Sequence, residues 1–356
     1  MGIKDALNRG IMVRLFSGKS ANDVWLKSMN ALLQTDAFID GRICETKEIL
    51  HSIFSLQNPK ERFITSRYPP ISIAFALAEV IWILSGSNES KILNFWNPKL
   101  PEFSGYGKKY HGAYGYRIKK NFKIDQLERA YYSLKNNPTN RQTVILLWDP
   151  MKDLPTKKGK PKDKDIPCNI CSMLKIRNKK LEWTQIMRSN DAYIGFPYNV
   201  IQFTTIQEIL SGWLDLKVGT YSHFSDSLHI YRKDIAKFKI VRKTPVLNSD
   251  NIAIEKQKSK YLIKQIFTNM KKIVNSKNIS QDDLQKFSTL NSSEEGYNNI
   301  MLIIGIYAAE KFKHQALIPT LLNKCSNKLL INMWEAWVSS KTKVKRSSKC
   351  QKKKKR

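Results

Sequence analysis

Apolar and polar positions fall into several distinct textures along the chain. Leu15, Val24, Trp25, Met29, Leu32 and Leu33 recur at near-helical spacing, which predicts helical structure within residues 1–35. Ile71 to Leu84 is apolar apart from Ser72 and Glu79, and reads as a buried helix carrying one acid. Pro98, Pro101, Gly105 and Gly107 mark a loop, and a helix follows near Ile124 to Leu134. Beyond the polar turn 136–140, the run Thr143 to Trp148 (TVILLW) reads as a short buried strand. Ile166 to Ile176 and Leu181 to Met187 read as two more strands, joined by the polar turn Arg177 to Lys180. Val200 to Leu214 has the pattern of an amphipathic helix, and Thr220 to Tyr231 alternates aromatic and polar residues as a strand would. After about residue 240 the texture becomes helical and rich in Ile, Leu and Lys. These changes divide the chain into 1–240, a helical extension 241–340 and a terminal tail 341–356, with no internal repeat.

Composition narrows the class. With 356 residues and 42% apolar residues, the chain can bury a real core and is not a disordered polymer. No apolar run reaches the roughly 18–20 residues of a membrane helix. The opening MGIKDALNRG lacks the apolar core of a signal peptide, and Ala6 departs from the myristoylation pattern. Five irregularly spaced cysteines (Cys44, Cys168, Cys171, Cys325, Cys350) argue against a disulfide framework and for a reducing, cytoplasmic compartment.

Charge adds a second question. Lys and Arg number 61 against 30 Asp and Glu, a net +31, which points to an anionic partner. Lys341 to Arg356 holds ten cations and no acid, and reads as a solvated, disordered tail. Without it +21 remains. Thr156 to Asp165 (TKKGKPKDKD) holds five Lys with Gly159 and Pro161, and reads as an exposed loop. Either run can be a solvated surface, or can attract nucleic acid.

Four strings carry candidate chemistry: IPCN (166–169), MRSNDAYIGFPYN (187–199), DSLHIY (226–231) and NPTNRQ (137–142). A cysteine is a candidate nucleophile where cations favour its thiolate, and Arg188 and Arg141 lie on segments that can approach Cys168. Arg188 and Ser189 place a guanidinium beside a hydroxyl, which suits a phosphate. The Asn199 carboxamide both donates and accepts, which suits a pyrimidine edge. His229 and Tyr231 are two apart and share one face of a strand. Each residue alone also has an ordinary structural role. Cys168 and Cys171 form a CxxC, but on a strand their odd separation puts them on opposite faces, and no second pair completes a metal site.

Taken together and in this order, these residues resemble the thymidylate synthase family, which includes the pyrimidine nucleotide hydroxymethylases. The resemblance runs from about Arg42 to Tyr231 and includes AFALAEVIWIL (74–84), YHGAYGYR (110–117), NRQTVILLWDP (140–150), IPCN, MRSNDAYIGFPYN and HIY. It implies an α+β fold with a mixed sheet and packed helices, a homodimer, and a helical C-terminal extension. It implies one-carbon transfer from 5,10-methylenetetrahydrofolate, without a metal, to C5 of a pyrimidine nucleotide. By the same resemblance Cys168 attacks C6, Arg42, Arg188 and Ser189 hold the 5′-phosphate, and Arg141 reaches the phosphate of the second subunit. Asn199 reads the base edge and His229 and Tyr231 bind the 3′-hydroxyl. Glu79 manages protons through water, and Tyr114 assists removal of the C5 proton. Asp191 and Trp96 contact the folate, and Gly195 leaves room for it.

This sequence departs from the family pattern in three places. Asn169 stands where the synthases usually have His, and Gln142 stands where a second Arg is usual. The short apolar C-terminus that closes over the folate gives way to about 100 helical residues and a Lys tail. A site left open to water favours a 5-hydroxymethyl product over a 5-methyl one. Asn199 itself favours uridylate, whose O4 and N3–H match a carboxamide, over cytidylate. The leading expectation is methylation of a (deoxy)uridylate, with hydroxymethylation of a (deoxy)uridylate or (deoxy)cytidylate as the alternative. A reading of a different class is a catalytically silent relative that binds nucleic acid through its basic tail.

Overall fold

The computed structural model describes residues 13–41, 44–241 and 245–353, with side chains described through Lys341. Within the N-terminal segment expected to be helical, a strand comes first: β1 (Arg14–Gly18), then helix α1 (Ala21–Leu33). The break is chemical. Ser20 caps α1 by accepting from Asp23 N at 3.1 Å, while the Asp23 carboxylate accepts from Ser20 N at 3.0 Å.

Five more strands complete the main path of the sheet: β2 (Thr46–Leu56), β3 (Val144–Leu146), β4 (Asn169–Arg177), β5 (Lys180–Met187) and β6 (Lys217–Tyr231). Their order is β1-β2-β6-β5-β4-β3, and the two-residue strand Asn190–Asp191 also pairs with β6. The sheet is mixed: β1 with β2 and β5 with β6 are parallel, while β2 with β6, β4 with β5 and β3 with β4 are antiparallel. Strand β2 has no sequence counterpart among the expected elements. Its buried positions mix polar Ser52 with Phe54 and Leu56, while Leu50 is exposed, so burial and polarity do not alternate together. Strand β3 corrects another expectation. It is an edge strand, with Val144 and Leu146 exposed and Ile145 buried.

One face of the sheet is dry. Trp183 and Gln185 of β5 and Tyr221 and His223 of β6 point into the core. Over them lies helix α3 (Gly195–Trp213), the element expected to be amphipathic. It is buried on nearly every side, because the sheet covers one face and further helices cover the other. Several of its polar side chains find partners inside the protein. Gln207 Nε2 donates to Leu181 O at 2.9 Å, and Arg62 donates to Thr205 Oγ1 at 2.7 Å and to Glu208.

Helix α2 (Ile73–Leu84) packs on α3 and is apolar all round for the same reason. Its outer side is covered by the C-terminal helices α4 (Lys256–Asn275), α5 (Glu295–Phe312) and α7 (Lys328–Lys353), with α6 (Leu317–Lys324) packed on α5. Buried residues from both halves form one hydrophobic core. Ile252 N donates to Glu208 Oε1 at 3.2 Å, tying the connection to α3. The backbone of α7 is helical to Lys353, including most of the stretch read as a disordered tail. Residues 354–356 lie outside the described residues. No helix among the described residues is long and apolar enough to cross a membrane.

Because the core is shared, the full chain should unfold in one cooperative transition, and a chain cut at residue 240 should be insoluble or lack a cooperative transition. Denaturant melts followed by near- and far-ultraviolet circular dichroism check this. Two separate transitions, or a soluble and cooperative 1–240 fragment, would show that the extension is an independent domain.

Candidate active site

A cavity of about 530 Å³ opens at one end of the sheet. Its walls come from α2, the segment 110–114, the segment 164–168 entering β4, the end of β5, the start of α3 and the end of β6. That volume suits a small-molecule ligand. Ten of the residues singled out from the sequence line it: Glu79, Tyr114, Cys168, Arg188, Ser189, Asp191, Gly195, Asn199, His229 and Tyr231.

Cys168 sits just ahead of β4 (Asn169–Arg177). The backbone locks it to the segment after β5, since Arg188 N donates to Cys168 O at 3.0 Å. The Arg188 guanidinium is then fixed by two carbonyls, Pro167 O at 3.0 Å and Ile166 O at 3.3 Å. One of its nitrogens reaches Cys168 Sγ at 4.0 Å. A fixed cation beside a sulfur favours the nucleophilic thiolate. Opposite lies Glu79, the single acid of α2. Burial pushes its carboxyl up to about 7, with the Asp165 carboxylate adding to the rise and a hydrogen bond from Gln202 Nε2 at 2.6 Å opposing it. A carboxyl that titrates near neutral pH can both give and take a proton. Tyr114 stays a phenol: burial first, and then the neighbouring Cys168, hold its proton far above the usual range.

Asn199 is oriented by a buried polar chain. Its Nδ2 lies 3.4 Å from Asn190 Oδ1, and Asn190 Nδ2 contacts His223 Nε2 at 2.9 Å and Ser225 Oγ at 3.1 Å. Burial drives the His223 pKa down to about 3, so the ring is neutral, and Tyr221 holds its other nitrogen at 3.0 Å. Asp191 uses Oδ1 to accept from Tyr193 N at 2.8 Å and Ile194 N at 2.9 Å, and burial raises its pKa. Gly195, in the first turn of α3, keeps the wall open beside Asn199 and Asp191. His229 and Tyr231 both face the cavity, while Ile230 between them is fully buried on the other face of the strand. Asn169 lies below the cavity floor, fully buried, and its carbonyl accepts from Gln185 Nε2 at 2.8 Å.

Three expected residues stand apart. Arg42 lies outside the described residues. Arg141 is exposed just before β3 and is not part of the cavity lining. Trp96, expected to contact a folate, is not among the residues that line the cavity. It is buried and donates from Nε1 to Ile304 O of α5 at 3.2 Å, so the extension has taken it. Other lining residues carried no sequence signal strong enough to single them out. Gln202 lies three positions after Asn199 on the same face of α3, a spacing that in hindsight marks it. Asp165, which ends the Lys loop, and Lys164 and Lys233 also line the cavity. Among the described residues no group of His, Cys, Asp or Glu could hold a metal ion.

The buried Glu79 costs stability with a definite sign. Its carboxyl is raised from 4.5 to about 7, worth about 3 kcal/mol if the unfolded chain titrates normally. The cost is absent well below pH 4.5, grows as pH rises and is complete above pH 7. Glu79→Gln should therefore melt like the parent near pH 4 and higher at pH 8. Calorimetry at the two pH values checks this; equal melting at pH 8 would mean that Glu79 is not held in a dry site.

A family model described as thymidylate synthase matches residues 40–281. A deoxyuridylate hydroxymethyltransferase of Bacillus phage SP01 is 31% identical over 230 residues, covering 62% of this chain and 59% of that protein. The enzyme of the same name from Pseudomonas phage M6 is 30% identical over half of each chain. This chain thus spans between half and three-fifths of those two relatives. A thymidylate synthase of Clostridium beijerinckii is 26% identical, covering 65% of this chain and 86% of that one. The crystal structure of thymidylate synthase from T4 phage superimposes with a TM-score of 0.50 at 20% identity, covering 70% of this chain and 91% of the other. The matched region begins before β2 and runs through α4, so it takes in every strand that walls the cavity. The chain belongs to the thymidylate synthase family.

Proposed function

We propose that the chain transfers a one-carbon unit from 5,10-methylenetetrahydrofolate to C5 of deoxyuridylate, through a covalent bond between Cys168 Sγ and C6 of the base. The observation that carries this reading is Cys168 beside the fixed Arg188 guanidinium, in one cavity with the neutral-range carboxyl of Glu79 and the oriented carboxamide of Asn199. In this reading Arg188 and Ser189 take the phosphate, and His229 and Tyr231 take the sugar hydroxyl. Asn199 accepts from N3–H and donates its second amide proton to O4. Attack at C6 makes C5 nucleophilic. Glu79 manages the proton at O4 through water, and the Tyr114 phenol assists loss of the C5 proton. Trp82, Leu93, Leu100 and Phe103 give an apolar wall suited to a planar co-substrate, with the Asp191 carboxylate at its edge. Those residues fit a folate without Trp96.

Methylation and hydroxymethylation share every step up to a methylene group on C5. We take water as the final nucleophile. Asp165, Lys164 and Lys233 line the cavity, Trp96 is packed away from it, and two phage relatives carry the hydroxymethyltransferase name. The synthases among the relatives support hydride transfer as the second reading. Incubation with dUMP and methylenetetrahydrofolate should give 5-hydroxymethyl-dUMP and tetrahydrofolate, identified by mass. A methylated nucleotide with dihydrofolate would select the second reading. Cys168→Ser should abolish turnover without loss of nucleotide binding, and turnover in that variant would remove Cys168 from the mechanism.

We also propose a homodimer built on the outer face of the sheet. Leu15, Ile53, Phe224, Ile186, Cys171 and Leu146 are ladder neighbours in sequence across all six strands, forming an apolar row on the face away from α3. Leu15 and Leu146 are 64% and 44% exposed, and a contiguous apolar face of this kind marks an interface. Arg141, exposed near the edge strand β3, would then serve the partner's phosphate site. Free thiols at Cys44, Cys171 and Cys325 support a cytoplasmic location, and the ten cations of 341–356 supply an electrostatic attraction to polyanions separate from catalysis. Phe224→Asp should give a monomer on analytical ultracentrifugation. Arg141→Ala should raise KM for the nucleotide about 10-fold or more, from the loss of one charged hydrogen bond. Mixing Arg141→Ala with Cys168→Ser should restore activity through hybrid dimers. No restoration would place Arg141 outside the partner's site.

A further inference from the structure

Asp165 is a carboxylate that the steps above leave without a task. It closes the Lys loop three residues before Cys168 and lines the same cavity. Its placement is built. Gly112 comes so close that a Cβ there would stand 2.6 Å from Asp165 O, and Gly112 N donates to Asp165 Oδ2 at 2.8 Å. Asp165 N in turn donates to Asp163 Oδ1 at 2.8 Å, and Ser104 donates to the Asp165 carboxylate. These contacts hold the side chain between two parts of the site. On one side are Glu79 and Tyr114, which feel its charge and face the reacting end of the base. On the other are Leu100, Phe103 and Ser104, the wall assigned to the co-substrate.

We propose that Asp165 is the catalytic base that activates the water captured by the C5 methylene group. This rests on the hydroxymethylation reading. With Cys168 still bonded to C6, the intermediate carries C5=CH2 conjugated to C4=O. The water oxygen bonds to the CH2 carbon, and the Asp165 carboxylate takes the water proton. The π pair of C5=CH2 moves to form the C4 enolate. The enolate then re-forms C4=O, a double bond forms between C5 and C6, and the C6–S bond breaks to return the Cys168 thiolate. Water is the only reagent added, and nothing is oxidised or reduced. Burial raises the Asp165 pKa, with the hydrogen bonds from Gly112 and Ser104 acting against it, which strengthens the carboxylate as a base. Glu79 remains free to manage the proton at O4.

The test is Asp165→Asn, which keeps an acceptor for Gly112 N. It is assayed with C5-tritiated dUMP, methylenetetrahydrofolate and 2-mercaptoethanol as a competing nucleophile. The variant should bind dUMP normally and release tritium at close to the parent rate. It should lose about 100-fold in hydroxymethyl product, the size expected for removal of a general base, and accumulate the 2-hydroxyethyl thioether formed on the C5 methylene carbon. If the Asn variant does not fold, Asp165→Ser, which also lacks a base, should show the same partition. Hydroxymethyl product that falls only in step with tritium release, or does not fall, would overturn the role of Asp165 while leaving hydroxymethylation standing. A methylated product from the parent enzyme would overturn the reading beneath it and the proposal together, before any variant is made.

Discussion

The rest of the structure depends on the burial of α2. Its sequence, Ile73 to Leu84, offers almost nothing to water, so it needs apolar partners on every side. Helix α3 supplies one set and the C-terminal helices supply the other. Glu79 is carried into this dry layer by the helix. It keeps one hydrogen bond, from Gln202, and pays for its burial with a pKa near neutrality. The same packing that stabilises the fold therefore gives the cavity a carboxyl that titrates near neutrality.

The extension follows from that constraint. It covers the outer side of α2, shares the core and draws Trp96 onto Ile304 O. A tryptophan expected at the cavity became part of a helix–helix seam. The cavity is left with polar side chains, Asp165, Lys164 and Lys233, at positions the motifs did not emphasise. The second consequence lies on the opposite side of the sheet, where an apolar row crosses six strands. Its two ends, Leu15 and Leu146, are exposed among the described residues.

The cations separate into groups with different physics. Arg188 is held by carbonyls and by the ring of Trp148, at 5.5 Å, so it acts as a fixed charge beside Cys168. Lys164 and Lys233 stand at the cavity wall and raise the local concentration of anionic ligands. The terminal ten charges are remote in sequence from all of these. These three arrangements hold 13 of the 61 Lys and Arg: one beside Cys168, two at the cavity wall and ten in 341–356.

The sequence by itself determined the family and named ten of the residues that line the cavity, because these side chains lie on short motifs. IPCN, MRSNDAYIGFPYN and HIY each fold locally, and the strand and helix periods set which way their side chains face. His229 and Tyr231 line the cavity because they are two apart on a strand. Other features were decided only by tertiary structure. Strand β2 was hidden because Ser52 is buried and Leu50 is not, a choice made by neighbours rather than by local period. Helix α3 lost its apparent amphipathicity because it gained a cover on both sides. Trp96 left the cavity because α5, some 200 residues later, offered its carbonyl. Asp165 reached the cavity wall because Gly112, distant in sequence, has no side chain to keep it away. Periodicity records which residues share a face, whereas long-range packing decides what covers that face and which polar groups remain inside.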